Sequence, residues 1–120
     1  MPVQGAKEQI HRVVVTWQGI KAVPHRFGGA EYRLGDREIG HVHGNRVVDI
    51  PFPKPVRDKV IADGRAEKHQ ILPESGWVSV FLREVRDIER AISLLRVSYD
   101  LAVEKRAKRA SATGNDRDQS

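Results

Sequence analysis

Apolar positions along the first part of the chain follow two different periods. Ile10, Val13, Val14 and Trp17 fall at i, i+3, i+4 and i+7. That is one stripe of a helix and predicts an amphipathic helix over about residues 7–17. The β-branched run Val13-Val14-Val15 leaves a strand open at the same place. Gly19 breaks the pattern, and Ile20–His25 then reads as a strand, with Pro24 marking an edge or a bulge. Gly35-Asp36 and Gly44-Asn45 each suit a two-residue hairpin loop, because each supplies a residue tolerant of positive φ. Three strands are expected around them, at about 30–34, 37–43 and 46–50.

Those two turns make the register calculable. Across the first, Leu34 faces Arg37, Tyr32 faces Ile39 and Ala30 faces His41. Across the second, His43 faces Arg46, His41 faces Val48 and Ile39 faces Ile50. Alternation then sorts the side chains. One face carries Ala30, Tyr32, Leu34, Ile39, Val48 and Ile50, together with His41 and, at its ends, His43, Arg37 and Arg46. The other carries Glu31, Arg33, Glu38, Gly40, Val42, Val47 and Asp49, with Arg33 opposite Glu38 as a favourable pair.

Pro51-Phe52-Pro53 ends the sheet run, and Pro55 opens a short helix over about 55–63 with Gly64 at its left-handed C-terminal position. Residues 65–76 read as a loop. Val78, Val80 and Leu82 alternate with Trp77, Ser79 and Phe81 in a further strand. Asp87 suits the cap of a last helix reaching about Lys105, with Ile88, Ala91, Ile92, Leu95, Tyr99 and Ala102 as its buried stripe. The polar stretch that follows reads as a disordered tail. The expected fold is α+β. An antiparallel meander of about five strands is packed on one face by the N-terminal and C-terminal helices, with a short helix in the middle. Residues 1–107 form the domain and 108–120 the tail.

Composition changes this picture little. The chain has 120 residues, 39% hydrophobic and 31% charged, which suits one globular domain. The net charge is +5, but Lys105, Arg106, Lys108 and Arg109 supply four of those charges. The basicity is therefore local. It reads as a solvated helix end that complements the macrodipole, with nucleic-acid binding the alternative. No cysteine is present, so disulfides and thiolate chemistry are excluded. The sequence offers neither a signal-peptide run nor a membrane span, which makes a cytoplasmic protein the expectation.

The chemistry concentrates in four histidines and two glycines. His41 and His43 are i and i+2 on one strand, hence on one face and roughly 6.6 Å apart at their α-carbons. Such a pair can converge on a metal ion. G-x5-H-x-H matches the opening of the cupin metal motif, but Val47 or Val48 stands where that motif has a Glu. Third-ligand candidates are Asp49, His25 and His69, and the register puts Asp49 on the wrong face. No metal is assigned on this basis. The plainer reading of His41 is a neutral core histidine flanked by Ala30 and Val48. His43 faces Arg46, a cation that would disfavour its charged form.

Gly40, flanked by Glu31 and Asp49, marks a place where a ligand could approach the sheet. His25-Arg26-Phe27-Gly28-Gly29 joins two strands. Its glycines expose backbone N–H groups, and Arg26 could clamp an anion. No phosphate loop or G-x-G-x-x-G follows. Ser75 and Ser79 lack the G-x-S-x-G context of acyl transfer. The preferred expectation is a site for an anionic small molecule built from His25, Arg26, Gly28, Gly29, His41, His43 and His69. Glu31, Gly40 and Asp49 are secondary candidates. A metal-dependent enzyme using His41 and His43 is the second possibility, and no cofactor is named.

The segments PHRFGGAEYRLGDREIGHVHG, VDIPFPKPVRDKVIADGRAEKH and LPESGWVSVFL…DIERAISLLRVSYD together resemble the small bacterial luciferase domain family over residues 17–101. The resemblance implies that His25, Arg26, Gly28, Gly29, Glu31, His41, His43, Asp49, His69 and Trp77 belong to the family's pattern, and it assigns them no roles. The order of hairpin sheet, helix, loop, Trp77-Val78-Ser79-Val80 and Ser98-Tyr99-Asp100-Leu101 is also similar to the YjbR-type double-wing proteins. That likeness implies nucleic-acid binding only by analogy of fold.

Overall fold

The structure is a computed structural model that describes residues 2–25 and 29–119, with side chains as far as Ser111. Arg26, Phe27 and Gly28 lie outside the described residues. The elements in chain order are α1 (Ala6–Val14), β1 (Ile20–His25), β2 (Gly29–Leu34), β3 (Arg37–His43), β4 (Val47–Pro51), α2 (Lys54–Ala62), β5 (Glu67–Lys68), β6 (Trp77–Phe81) and α3 (Arg86–Gln119). All strand pairs are antiparallel, in the order β1-β2-β3-β4-β6-β5. The fold is α+β, as the hydrophobic pattern indicates. The sheet has six strands, because part of the expected 65–76 loop pairs with β6 as β5.

α1 and α3 cover one face of the sheet. Ile10 and Val14 of α1 and Leu94 and Leu95 of α3 are fully buried, as are Tyr32, Ile39, Val42, Val48, Ile50 and Val78 of the strands. α1 ends at Val14 rather than reaching Trp17, whose ring packs 5.3 Å from that of Tyr99. Its N-terminus is held by the loop between β3 and β4. Asn45 accepts hydrogen bonds from Lys7 N through its side chain (2.9 Å) and from Val3 N through its carbonyl (3.2 Å). Among the described side chains, none beyond Ala102 of α3 is buried. No described helix is long and apolar enough to cross a membrane.

Two one-residue shifts correct the calculated register. The first turn is as expected, with Leu34 paired to Arg37 and Arg33 to Glu38. A β-bulge follows. Tyr32 pairs with Gly40 rather than Ile39, so Ile39 and Gly40 together oppose one residue. The bulge is stabilised from α3. The buried Ser98 hydroxyl donates to the Ile39 carbonyl at 2.9 Å. Gly40 is needed there, because a β-carbon would lie 2.6 Å from Leu95 Cδ2 and 3.0 Å from the Asp49 carbonyl oxygen. Gly40 therefore faces the helix layer and offers no ligand platform.

The second reversal is one residue longer than expected. His43 pairs with Val47, which leaves Gly44, Asn45 and Arg46 in the loop, and Arg46 N donates to His43 O at 3.2 Å. The bulge and the longer loop cancel beyond β3. β2 and β4 keep their expected faces, while the far half of β3 is turned over. Val42, not His41, is the core residue between Ala30 and Val48. His41 and His43 share a face, but it is the face away from α1 and α3.

Candidate functional site

On that outer face one cross-strand row runs Val23, Glu31, His41, Asp49, Ser79, Glu67. Glu31 and Asp49, expected to flank Gly40, flank His41 instead. The turned-over half of β3 thus puts the histidines among carboxylates rather than among aliphatic side chains. His25, at the end of β1, stacks on His41 with ring centroids 4.3 Å apart and lies 5.4 Å from the His43 ring. Its strand partner Gly29 has no side chain to hold those rings apart. His41 and His43 meet edge to face at 4.6 Å, and Trp77 stands 5.2 Å from His41.

Asp49 is the hub. It is 6% exposed, and its Oδ1 accepts a hydrogen bond from Ser79 at 2.6 Å. Its Oδ2 receives three imidazoles: His43 Nε2 at 3.2 Å, His41 Nε2 at 3.3 Å and His69 Nε2 at 3.5 Å. Burial alone would raise its pKa. Hydrogen bonds from His41 and Ser79 outweigh burial and hold it below the usual carboxylate range. Burial likewise works against charge on His41, yet hydrogen bonds to Asp49 and Glu38 and their negative charge push its pKa up to about 9. Burial and the neighbouring His41 cation hold His43 below the ordinary histidine value. Arg46, expected as its partner, lies in the loop.

The Nδ1 sides of His41 and His25 are both occupied. His41 Nδ1–H donates to Glu38 at 2.6 Å and His25 Nδ1–H donates to Glu31 at 3.2 Å. Glu31 is fixed in turn by Arg33, whose hydrogen bond lowers its pKa. Arg33 also donates to the Asp36 carbonyl at 2.5 Å. Arg33 and Glu38 are opposite in the backbone as expected, but their charged ends go elsewhere. A carboxylate behind Nδ1 directs Nε2 to the other side of the ring, where that of His41 meets Asp49, and this is the arrangement that orients metal-binding histidines. Among the described residues, His25, His41 and His43 each offer a ring nitrogen within 4.8 Å of the others, close enough to share one ion.

His69 arrives from the loop that follows β5. That loop is tied to α2 by the buried Arg57, which donates to the Pro73 carbonyl and to Asp58. His41, His43, Asp49 and His69, with Val47 and Phe81 among the walls, enclose a cleft of about 250 Å³.

Of the expected site residues, His25, Gly29, His41, His43 and His69 come together, joined by Glu31 and Asp49. Gly40 points to the core. Three contributors escape the sequence: Glu38, Ser79 and Arg57. Glu38 is three residues before His41, and only the bulge lets positions that far apart share a face. Ser79 carries a weak signal, as the polar member of the outward row Trp77, Ser79, Phe81.

No curated protein and no solved structure matches the chain. A family model, the luciferase domain, matches residues 36–98, a span that takes in His41, His43, Asp49, His69 and Ser79. With more than half of its length matched, the chain belongs to the luciferase domain family.

Proposed function

We propose that the outer face of the sheet is a transition-metal centre with His25, His41 and His43 as ligands and Asp49 as the carboxylate beside them. The observation that carries this reading is the division of labour within the rings. Three imidazole nitrogens lie within 4.8 Å of one another, and carboxylates stand behind two of the rings. Imidazole nitrogens suit zinc, copper, nickel and iron, whereas a site for magnesium or calcium would be built from oxygens. Three protein ligands leave a coordination position open, as catalytic sites do. The reading is therefore a metal-dependent activity on a small molecule.

The charges favour this over direct capture of an anion by cationic side chains. Glu31, Glu38 and Asp49 lie among the imidazoles, and the Arg33 guanidinium is paired to Glu31. Such a face attracts a cation first.

Titration of chelator-stripped protein with Zn(II) and Co(II), followed by calorimetry and by the visible Co(II) spectrum, tests the assignment. One equivalent should bind. His41→Ala and His43→Ala should each abolish saturable binding while leaving the thermal unfolding transition cooperative. Failure to bind one equivalent, or affinity unchanged in both variants, rules the centre out.

A further inference from the structure

His69 differs from His25 and His41 in the way its ring is held. Its Nδ1 accepts two backbone hydrogen bonds, from Ile71 N at 3.3 Å and Leu72 N at 3.1 Å. A nitrogen that accepts carries a lone pair and no proton. The ring proton of His69 is therefore on Nε2, the atom 3.5 Å from Asp49 Oδ2. His25 and His41 are held the opposite way, donating from Nδ1. The same residue type thus appears in two tautomeric settings within one cleft, one suited to coordination and one suited to donation.

We propose that the centre takes a small monocarboxylate, one oxygen on the metal and one accepting the Nε2–H of His69, with its apolar part lying along Val47, Phe81 and Ile71. This rests on the metal reading above. Three neutral imidazoles leave the charge of a divalent ion intact and Asp49 balances one unit of it, so an anionic oxygen is suited to the open position. A charge-assisted hydrogen bond from a fixed donor adds to its hold. The apolar part follows from the walls. Ile71 lines the cleft while 82% exposed, an aliphatic side chain that a bound hydrocarbon would shield from water. The size follows from the volume. About 250 Å³ is below the roughly 300–1,000 Å³ of pockets for drug-sized ligands, so a molecule of few carbons is expected.

The test uses Co(II)-loaded full-length protein with butanoate and acetate as probes, read by the visible Co(II) bands. Butanoate should shift the bands saturably and bind more tightly than acetate, by up to about fifteenfold for two buried methylenes. His69→Ala should weaken butanoate roughly tenfold or more beyond any change in Co(II) affinity, and His69→Gln, which retains a donor, should recover part of the loss. Nitrogen-15 NMR of the imidazoles reads the tautomer directly and should give Nε2–H for His69. Co(II) binding without a butanoate response, an unaffected His69→Ala variant, or an Nδ1–H tautomer overturns this inference and leaves the metal centre standing. Failure to take up Co(II) removes both.

Discussion

One carboxylate organises the polar face, and its neighbours show how little of that role is visible in isolation. Asp49 follows two valines and precedes an isoleucine, a sequence that reads as a solvent-facing break in a strand. In the structure it anchors Ser79 and faces three imidazoles. Glu38 stands behind His41, at 2.6 Å from its Nδ1, rather than in the proposed ligand set. Its removal should leave the fold intact yet weaken metal binding about 10–100-fold, since the His41 ring loses the partner that sets its orientation. Glu38→Gln compared with wild type in the Co(II) titration measures this. His41 also makes a pH prediction for the metal-free protein. Its pKa rises on folding, so the protonated ring stabilises the native state fully below the unfolded value near 6.5, and that contribution fades as pH rises through about 9. Proton NMR of the imidazole should give a midpoint near 9, and Asp49→Asn should bring it down.

At the level of elements, the decisive features are the bulge in β3 and the three-residue loop after it. The outlines of nearly every helix and strand were legible because they follow from periodicity: the stripe of α3 from Ile88 to Ala102, the alternation of Val78 and Val80, and the punctuation at Gly35, Pro55 and Gly64. The phase of β3 was not, because distant residues set it. Leu95 lies over the bulged Gly40, Ser98 satisfies the Ile39 carbonyl, the Arg46 carbonyl accepts from Leu82 N at 2.8 Å, and Asn45 holds the start of α1. A glycine-asparagine pair is compatible with loops of two or three residues, and only these long-range contacts choose between them. The histidines were recognisable as candidates, while their carboxylate surroundings depended on that choice. Gly40→Ala should cost about 1–3 kcal/mol by forcing Leu95 and the Asp49 backbone apart. Ser98→Ala should cost about 1–3 kcal/mol by leaving a buried carbonyl without a donor. Urea unfolding of both variants checks this, and a loss under 0.5 kcal/mol in either would contradict the role given to the bulge.

For the molecule as a whole, the sheet separates two tasks. α1 and α3 bury one side for stability, and the opposite side, with the β5–β6 loop over it, holds the histidine and carboxylate cluster proposed as the metal centre. Members of the luciferase domain family are thus expected to vary on the helix-covered side within the limits of packing volume. The remote end of α3 contributes little to the fold, since burial among the described side chains stops at Ala102. Ending the chain at Ser111 should change unfolding free energy by no more than about 0.5 kcal/mol, measured by thermal or urea denaturation. The three-residue loop has a consequence that substitutions do not reveal. Together with the bulge, its length keeps Asp49 beside His41, so deleting a single codon among those for residues 44–46 would rotate β4 by half a pleat and send the carboxylate towards the hydrocarbon interior. Such a chain could keep its helices, its composition and almost all of its sequence while losing the polar cluster outright. In this scaffold the polar cluster is as exposed to the loss of one loop residue as to replacement of a histidine.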